Sequence, residues 1–213
     1  MTDKSRPWRV LILIIAGALW VRHGIAQDGL TDQGLKRIDG RFEVLEWRPG
    51  ATADQYRRIA ILDCYVDFRE NWQRDQNRGK TTFDSVTAED MASIKQTLAG
   101  EFRDVVTDVL EEGGAYEIVD VAAAPDLLLL RPAILNLDVP ANIYGSRGLL
   151  TDTAASVSMT FYLELYDSAT STLIGRVLDA DGDPDRDRAA ARRVFGRWAR
   201  DLRTTLEQGP NAL

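Results

Sequence analysis

The sequence predicts an α+β two-layer sandwich: a mixed, mostly antiparallel β-sheet with two long helices covering one face. Three observations carry that expectation. The first is the stretch Ser156 to Asp167, SVSMTFYLELYD. Val157, Met159, Phe161, Leu163 and Leu165 share one parity there, and Ser158, Thr160, Tyr162, Glu164 and Tyr166 the other. Side chains alternate faces along a strand, so this one has an apolar face and a polar, aromatic face. A sheet of that kind buries one face under helices and shows the other to water or a partner. The second observation is the helical recurrence of Met91, Ile94, Leu98, Phe102, Val105, Val106, Val109 and Leu110, repeated later by Val194, Phe195, Trp198, Leu202 and Leu206. The third is the order of elements: strand, helix, several strands, helix. That order segregates the layers, and the long helix between the first two strands permits a right-handed crossover and hence a mixed sheet.

Charge and composition narrow the chemistry. The chain has 213 residues, 45% hydrophobic and 28% charged, which is enough for one core in one domain. Its net charge of −7 repels phosphates and makes nucleic acid and anionic lipid poor partners. Arg192, Arg193, Arg197, Arg200 and Arg203 form a local exception, read here as the solvated face of the last helix. Cys64 is the only cysteine, so no intramolecular disulfide can form, and its apolar surroundings suit an inert thiol. The only histidine, His23, lies in the N-terminal segment. The remainder therefore has no imidazole for Ser-His or Cys-His catalysis and little to hold zinc.

Met1 to Ala26 reads as a secretory signal. Lys4, Arg6 and Arg9 precede the apolar run Val10 to Val21, and Gly24 and Ala26 place small residues before a cut at Gln27. As a helix the run would rise roughly 18 Å, short of the ~30 Å hydrocarbon core, which favours a cleaved signal over an inner-membrane anchor. Either way the positive-inside rule sends the rest across the membrane, into the periplasm. Cutting there removes four cations and one anion, leaving a net charge of −10.

Residues 27–55 read as an irregular lead-in with a short edge strand near Phe42 to Trp47, ahead of a single domain over 56–208. Tyr56 to Phe68 predicts the first full strand, with Ala60, Leu62, Cys64, Val66 and Phe68 on its apolar face and Asp63, Tyr65 and Asp67 on the other. Thr87 and Asp90 have the spacing of a capping box, and Gly113-Gly114 ends that helix. Tyr116 to Val121 is a short strand. A long one follows Pro125, its first half apolar on both faces as suits a central position, and Pro132 within it implies a bulge or a locally unpaired edge. Pro140 to Ala155 is a long connection exposing Ile143, Tyr144, Leu149 and Leu150. Leu173 to Leu178 is the hairpin partner of Ser156 to Asp167. Asp179 to Asp187 is an acidic turn expected to cap a last helix over Arg188 to Glu207.

Several of these stretches resemble a family of bacterial envelope proteins catalogued as domain of unknown function 3313. They are Tyr56 to Ile61, the helix Asp90 to Phe102, Leu127 to Leu137, the hairpin region Glu164 to Thr172, and the ending Phe195 to Leu202. The resemblance covers about Trp47 to Leu206. It implies a secreted domain, often a lipoprotein, with no established activity. No cysteine stands directly after the apolar run here to carry a lipid.

Candidate sites follow from parity. Asp63 and Asp67 lie roughly 13 Å apart on one strand face, with Glu164 a third carboxylate from a neighbouring strand. Paired carboxylates can perform acid-base work on sugars, but a solvated sheet face gives the same alternation. Asp179 to Asp187 alternates acids as a calcium loop would, but Pro184 and Ala190, or Arg186 and Arg192, stand where an EF-hand needs Gly and Glu. Gly145 to Gly148 is too short for a phosphate loop. No cofactor or metal is called for. Tyr65, Tyr162 and Tyr166, with Tyr144 from the adjoining loop, are the candidate binding residues, because tyrosine combines apolar area with tolerance of water. The reading is a non-enzymatic periplasmic envelope domain that binds a protein or envelope component, with peripheral membrane association compatible. The alternative is a carboxylate-dependent hydrolase acting on cell-wall or polysaccharide material.

Overall fold

A computed structural model describes residues 30–121, 123–141, 157–183 and 189–209. The signal segment Met1 to Ala26, Tyr144 with most of its connection, and the end of the acidic turn lie outside the described residues. Within them the elements are β1 (Lys36–Ile38), β2 (Val44–Trp47), β3 (Arg58–Ile61), β4 (Tyr65–Phe68), α1 (Trp72–Gln76), α2 (Ala88–Glu111), β5 (Glu117–Ile118), β6 (Leu127–Asp138), β7 (Val157–Asp167), β8 (Thr172–Asp183) and α3 (Ala190–Gln208). They form the expected α+β arrangement, an open sheet ordered β1-β2-β8-β7-β6-β3-β5 with β4 also pairing β6. The pairs of β3 with β5, and of β3 and β4 with β6, are parallel; the others are antiparallel.

The apolar parity of β7 faces the helices. Val157, Met159, Phe161, Leu163 and Leu165 are all buried. The centre of the core is aromatic. Phe161 stacks on Trp198 of α3 with ring centroids 4.9 Å apart, and Phe102 of α2 meets Phe161 at 5.6 Å and Phe195 at 5.5 Å. Such pairs add to the gain from burial alone. Trp198 also donates its indole N–H to Asp179 Oδ2 at 2.8 Å, so its one polar atom is satisfied inside the core. α2 starts at the expected capping box: Thr87 Oγ1 accepts from Asp90 N at 3.1 Å and Asp90 Oδ2 accepts from Thr87 N at 2.9 Å. It ends at Gly113 and Gly114, whose φ of 69° and 71° suit a residue without Cβ.

The structure differs from the sequence expectation in three places. Tyr56 to Phe68 is two strands, with residues 62–64 between them. The break resets the parity, so Ile59 and Ile61 enter the core from β3, Val66 and Phe68 from β4, and Leu62 is 42% exposed. Pro132 sits opposite that break, at the locally unpaired edge that the sequence implied. Leu62 N donates to Leu130 O, and alternation sends Pro132 to the same side, where its missing N–H falls in the gap between β3 and β4. The lead-in enters the sheet: β2 lies where an edge strand was expected, but it is flanked by β1 and pairs with β8, and Leu45 and Trp47 join the core. Finally, β8 runs on through Asp179 to Asp183, and the cap position of α3 is Ala189, whose methyl offers no acceptor. Asp179 and Asp181 instead bind side chains within α3, Trp198 and Arg197.

Candidate functional site: the open face of the sheet

Among the described residues the helices leave the second parity of β7 uncovered, and the register across the sheet sets charged residues beside it. Arg37 lies opposite Glu46, Glu46 opposite Arg176, Arg176 opposite Glu164, and Glu164 opposite Arg131. Five adjacent strands thus contribute one row of alternating sign, the arrangement that cross-strand neighbours favour.

Glu164 is the buried member, only 4% exposed. Tyr162 and Tyr166, two residues before and after it on the same face, donate their hydroxyls to its two oxygens, at 2.6 Å to Oε1 and 2.9 Å to Oε2. Arg131 pairs with Oε2 from β6, and its guanidinium lies 5.9 Å from the centre of the Tyr166 ring. Burying a carboxylate is costly unless its oxygens are paired and hydrogen-bonded, as both are here. The same arrangement acts on the phenols. Burial first, and then the bond to Glu164, raises the pKa of both Tyr162 and Tyr166 above the ordinary value for tyrosine. Further along the row Arg176 pairs with Glu46 at 3.1 Å and with the side-chain oxygen of Gln33, while its buried Nε has no hydrogen-bond partner among the described residues.

Tyr65 joins this face from β4. It lies opposite Ala133, and Tyr162 lies opposite the same alanine from the other side, so two rings flank one small side chain. Tyr65 is 59% exposed, whereas Tyr162 and Tyr166 are half-buried. Three of the four candidate tyrosines therefore share the open face, and the fourth, Tyr144, is outside the described residues. Among the described residues the lead-in covers only a corner. Residues 30–35 pack there, and Arg48 ties them down through Leu173 O at 2.7 Å and Gln33 O at 3.0 Å.

The three carboxylates considered together do not form one group. Asp63 lies in the break between β3 and β4, Asp67 binds Lys95 of α2 at 2.9 Å, and Glu164 is held by its tyrosines and Arg131. Cys64 is a poor nucleophile, since burial pushes its thiol up to about 12. Sequence reasoning missed Arg131, Arg176 and Glu46. Their one local signal was a charged residue at the centre of an otherwise apolar strand. Among the described residues no helix is long and apolar enough to cross a membrane.

Comparison with known proteins identifies no family. No family model matches the chain, and no curated protein matches it. Among solved structures it is similar to the PelC dodecamer of Paraburkholderia phytofirmans, at 11% identity over 76% of this chain and 93% of that one, with a TM-score of 0.41. It is similar also to a hypothetical protein of Chlamydia trachomatis, at 10% identity over 72% and 99% of the two chains, with a TM-score of 0.42. A third is a Xanthomonas campestris protein of the DUF330 family, at 11% identity over 81% and 94%, with a TM-score of 0.41. At these scores none of them bears on function.

Proposed function

We propose that this chain is a non-enzymatic binding domain whose open sheet face receives an envelope protein or envelope component. The observation that carries the proposal is the fixing of Tyr162 and Tyr166 by a shared, buried carboxylate on a face that the helices leave bare. Rings held this way lose little conformational freedom when a partner docks, which is how a surface gains affinity without extra area. The exposed ring of Tyr65, across Ala133, extends the same surface. Each carboxylate weighed for the hydrolase alternative has its own setting, and this supports a binder over a hydrolase.

The proposal includes export to the periplasm, on the strength of the basic, apolar and small-residue pattern of Met1 to Ala26, and membership of the 3313 type of envelope domain. Mass spectrometry of the native N-terminus tests the export: a chain starting near Gln27 is expected, and a full-length chain in the cytoplasm would refute it. Crosslinking in envelope extracts, comparing the wild type with Tyr65→Ser and Tyr166→Ser, tests the face. Loss of the crosslinked partner is expected in both variants, with an unchanged melting temperature for the exposed Tyr65→Ser and a lowered one for Tyr166→Ser, which also takes a donor from Glu164. Retention of the same partner by both variants would refute a role for the face.

A further inference from the structure

Arg192, Gly196 and Arg200 follow one another at i, i+4 and i+8 on α3, so they form one stripe, with the arginines separated by about 12 Å of helical rise. The stripe borders a groove of about 600 Å³ between α2 and α3. Arg192, Arg193, Arg197 and Arg200 line it against a single carboxylate, Asp108, in a chain whose net charge is −7. Arg197 is fixed to the sheet through Asp181 at 2.8 Å and the carbonyl of Gly182 at 2.9 Å. Arg192 and Arg200 are exposed, and neither has an ion pair or a side-chain hydrogen bond among the described residues.

Gly196 is an unusual choice for the middle of a helix, where glycine is disfavoured. Its effect here is spatial. The Arg200 Nη1 lies 3.2 Å from where a Cβ would stand, so the guanidinium is folded back over the glycine. The Arg200 fork thus stands over the gap, and Arg192 lines the same groove from the other end of the stripe. A guanidinium fork binds an edge of two oxygens. A planar carboxylate has one such edge, whereas a tetrahedral oxyanion has several and can accept two forks at once.

We propose that the groove between α2 and α3 binds a phosphate group, gripped by Arg192 and Arg200 over Gly196. The site is independent of the tyrosine face, which lies on the other side of the sheet.

The test compares the full chain with an Arg192→Ala, Arg200→Ala double variant, with Gly196→Ala, and with the exposed control Arg74→Ala. Thermal melts with inorganic phosphate are set against chloride at equal ionic strength and pH, alongside sedimentation with phosphatidylcholine vesicles with and without phosphatidylglycerol. A phosphate-specific rise in melting temperature is expected in the wild type and in the control. The double variant should bind roughly tenfold or more weakly, the scale of losing charge-assisted hydrogen bonds. Gly196→Ala should melt no lower than wild type in chloride yet respond less to phosphate, because its methyl displaces the Arg200 fork. Sedimentation only with phosphatidylglycerol, lost in the double variant, would assign the phosphate to a lipid headgroup; a response to inorganic phosphate without sedimentation would assign it to a soluble ligand. Responses equal in wild type and double variant, or no response to phosphate or vesicles at all, would overturn the proposal.

Discussion

Tyr162 donates its hydroxyl to Glu164 Oε1 at 2.6 Å from two residues away on the same strand, and Tyr166 mirrors it on the other oxygen. Replacing the carboxylate by an amide keeps the shape and removes the charge that Arg131 and both hydroxyls address. Glu164→Gln should destabilise the domain by about 1–3 kcal/mol, the range for hydrogen bonds to a charged group. Urea unfolding with an unchanged m-value checks it, and an unshifted midpoint would show that the cluster adds nothing to stability.

Alkali should unfold the protein by way of its phenols. Burial, then the bond to Asp167, raises Tyr56 from 10.0 to about 12, and Tyr162 and Tyr166 shift in the same direction. A raised folded-state pKa means that the native protein holds the proton more tightly than the unfolded chain. This contribution is complete below pH 10 and is lost as pH rises through the folded values. Stability measured across that window should fall, and Tyr56→Phe should flatten the decline. A profile that is flat above pH 10 would contradict it.

Trp198→Ala removes the stacking partner of Phe161 and leaves Asp179 without its indole donor. The expected loss is ~3–5 kcal/mol, that of a large aromatic cut from a packed core. Unchanged melting would place α3 at the periphery of the fold.

Gly175→Ala tests the attachment of the lead-in. A Cβ there would stand 2.5 Å from Cε3 and 2.7 Å from Cζ3 of Trp47, whose ring is buried against β8. Overpacking of this kind costs about 1–3 kcal/mol. Hydrogen exchange should quicken in β1 and β2 before it does in β6 and β7.

Thr87→Ala breaks the capping box of α2 and should cost about 1 kcal/mol. The amide of Asp90, which Thr87 Oγ1 accepts at 3.1 Å, should show the largest rise in exchange rate.

What the sequence determined by itself was whatever depends on near neighbours along the chain. Alternation along β7, the apolar stripes of α2 and α3, and the Thr87–Asp90 cap are local, because a strand or helix converts spacing directly into a face. The α+β class and the mixed sheet followed from them. The tyrosines at 162 and 166 were legible as a pair for the same reason. Tertiary structure decided what depends on which strand lies beside which. The break at residues 62–64 shows this: parity carries a face only along an unbroken strand, so Leu62 came out exposed and Ile61 went in. Trp47 entered the core because β8 offers Gly175 opposite it, a match between residues 128 positions apart. The charged row across β1, β2, β8, β7 and β6 exists only through register. No window of sequence contains Arg131, Glu164, Arg176 and Glu46 together, and it is pairing across strands that lets Arg131 and two phenols hold one buried carboxylate.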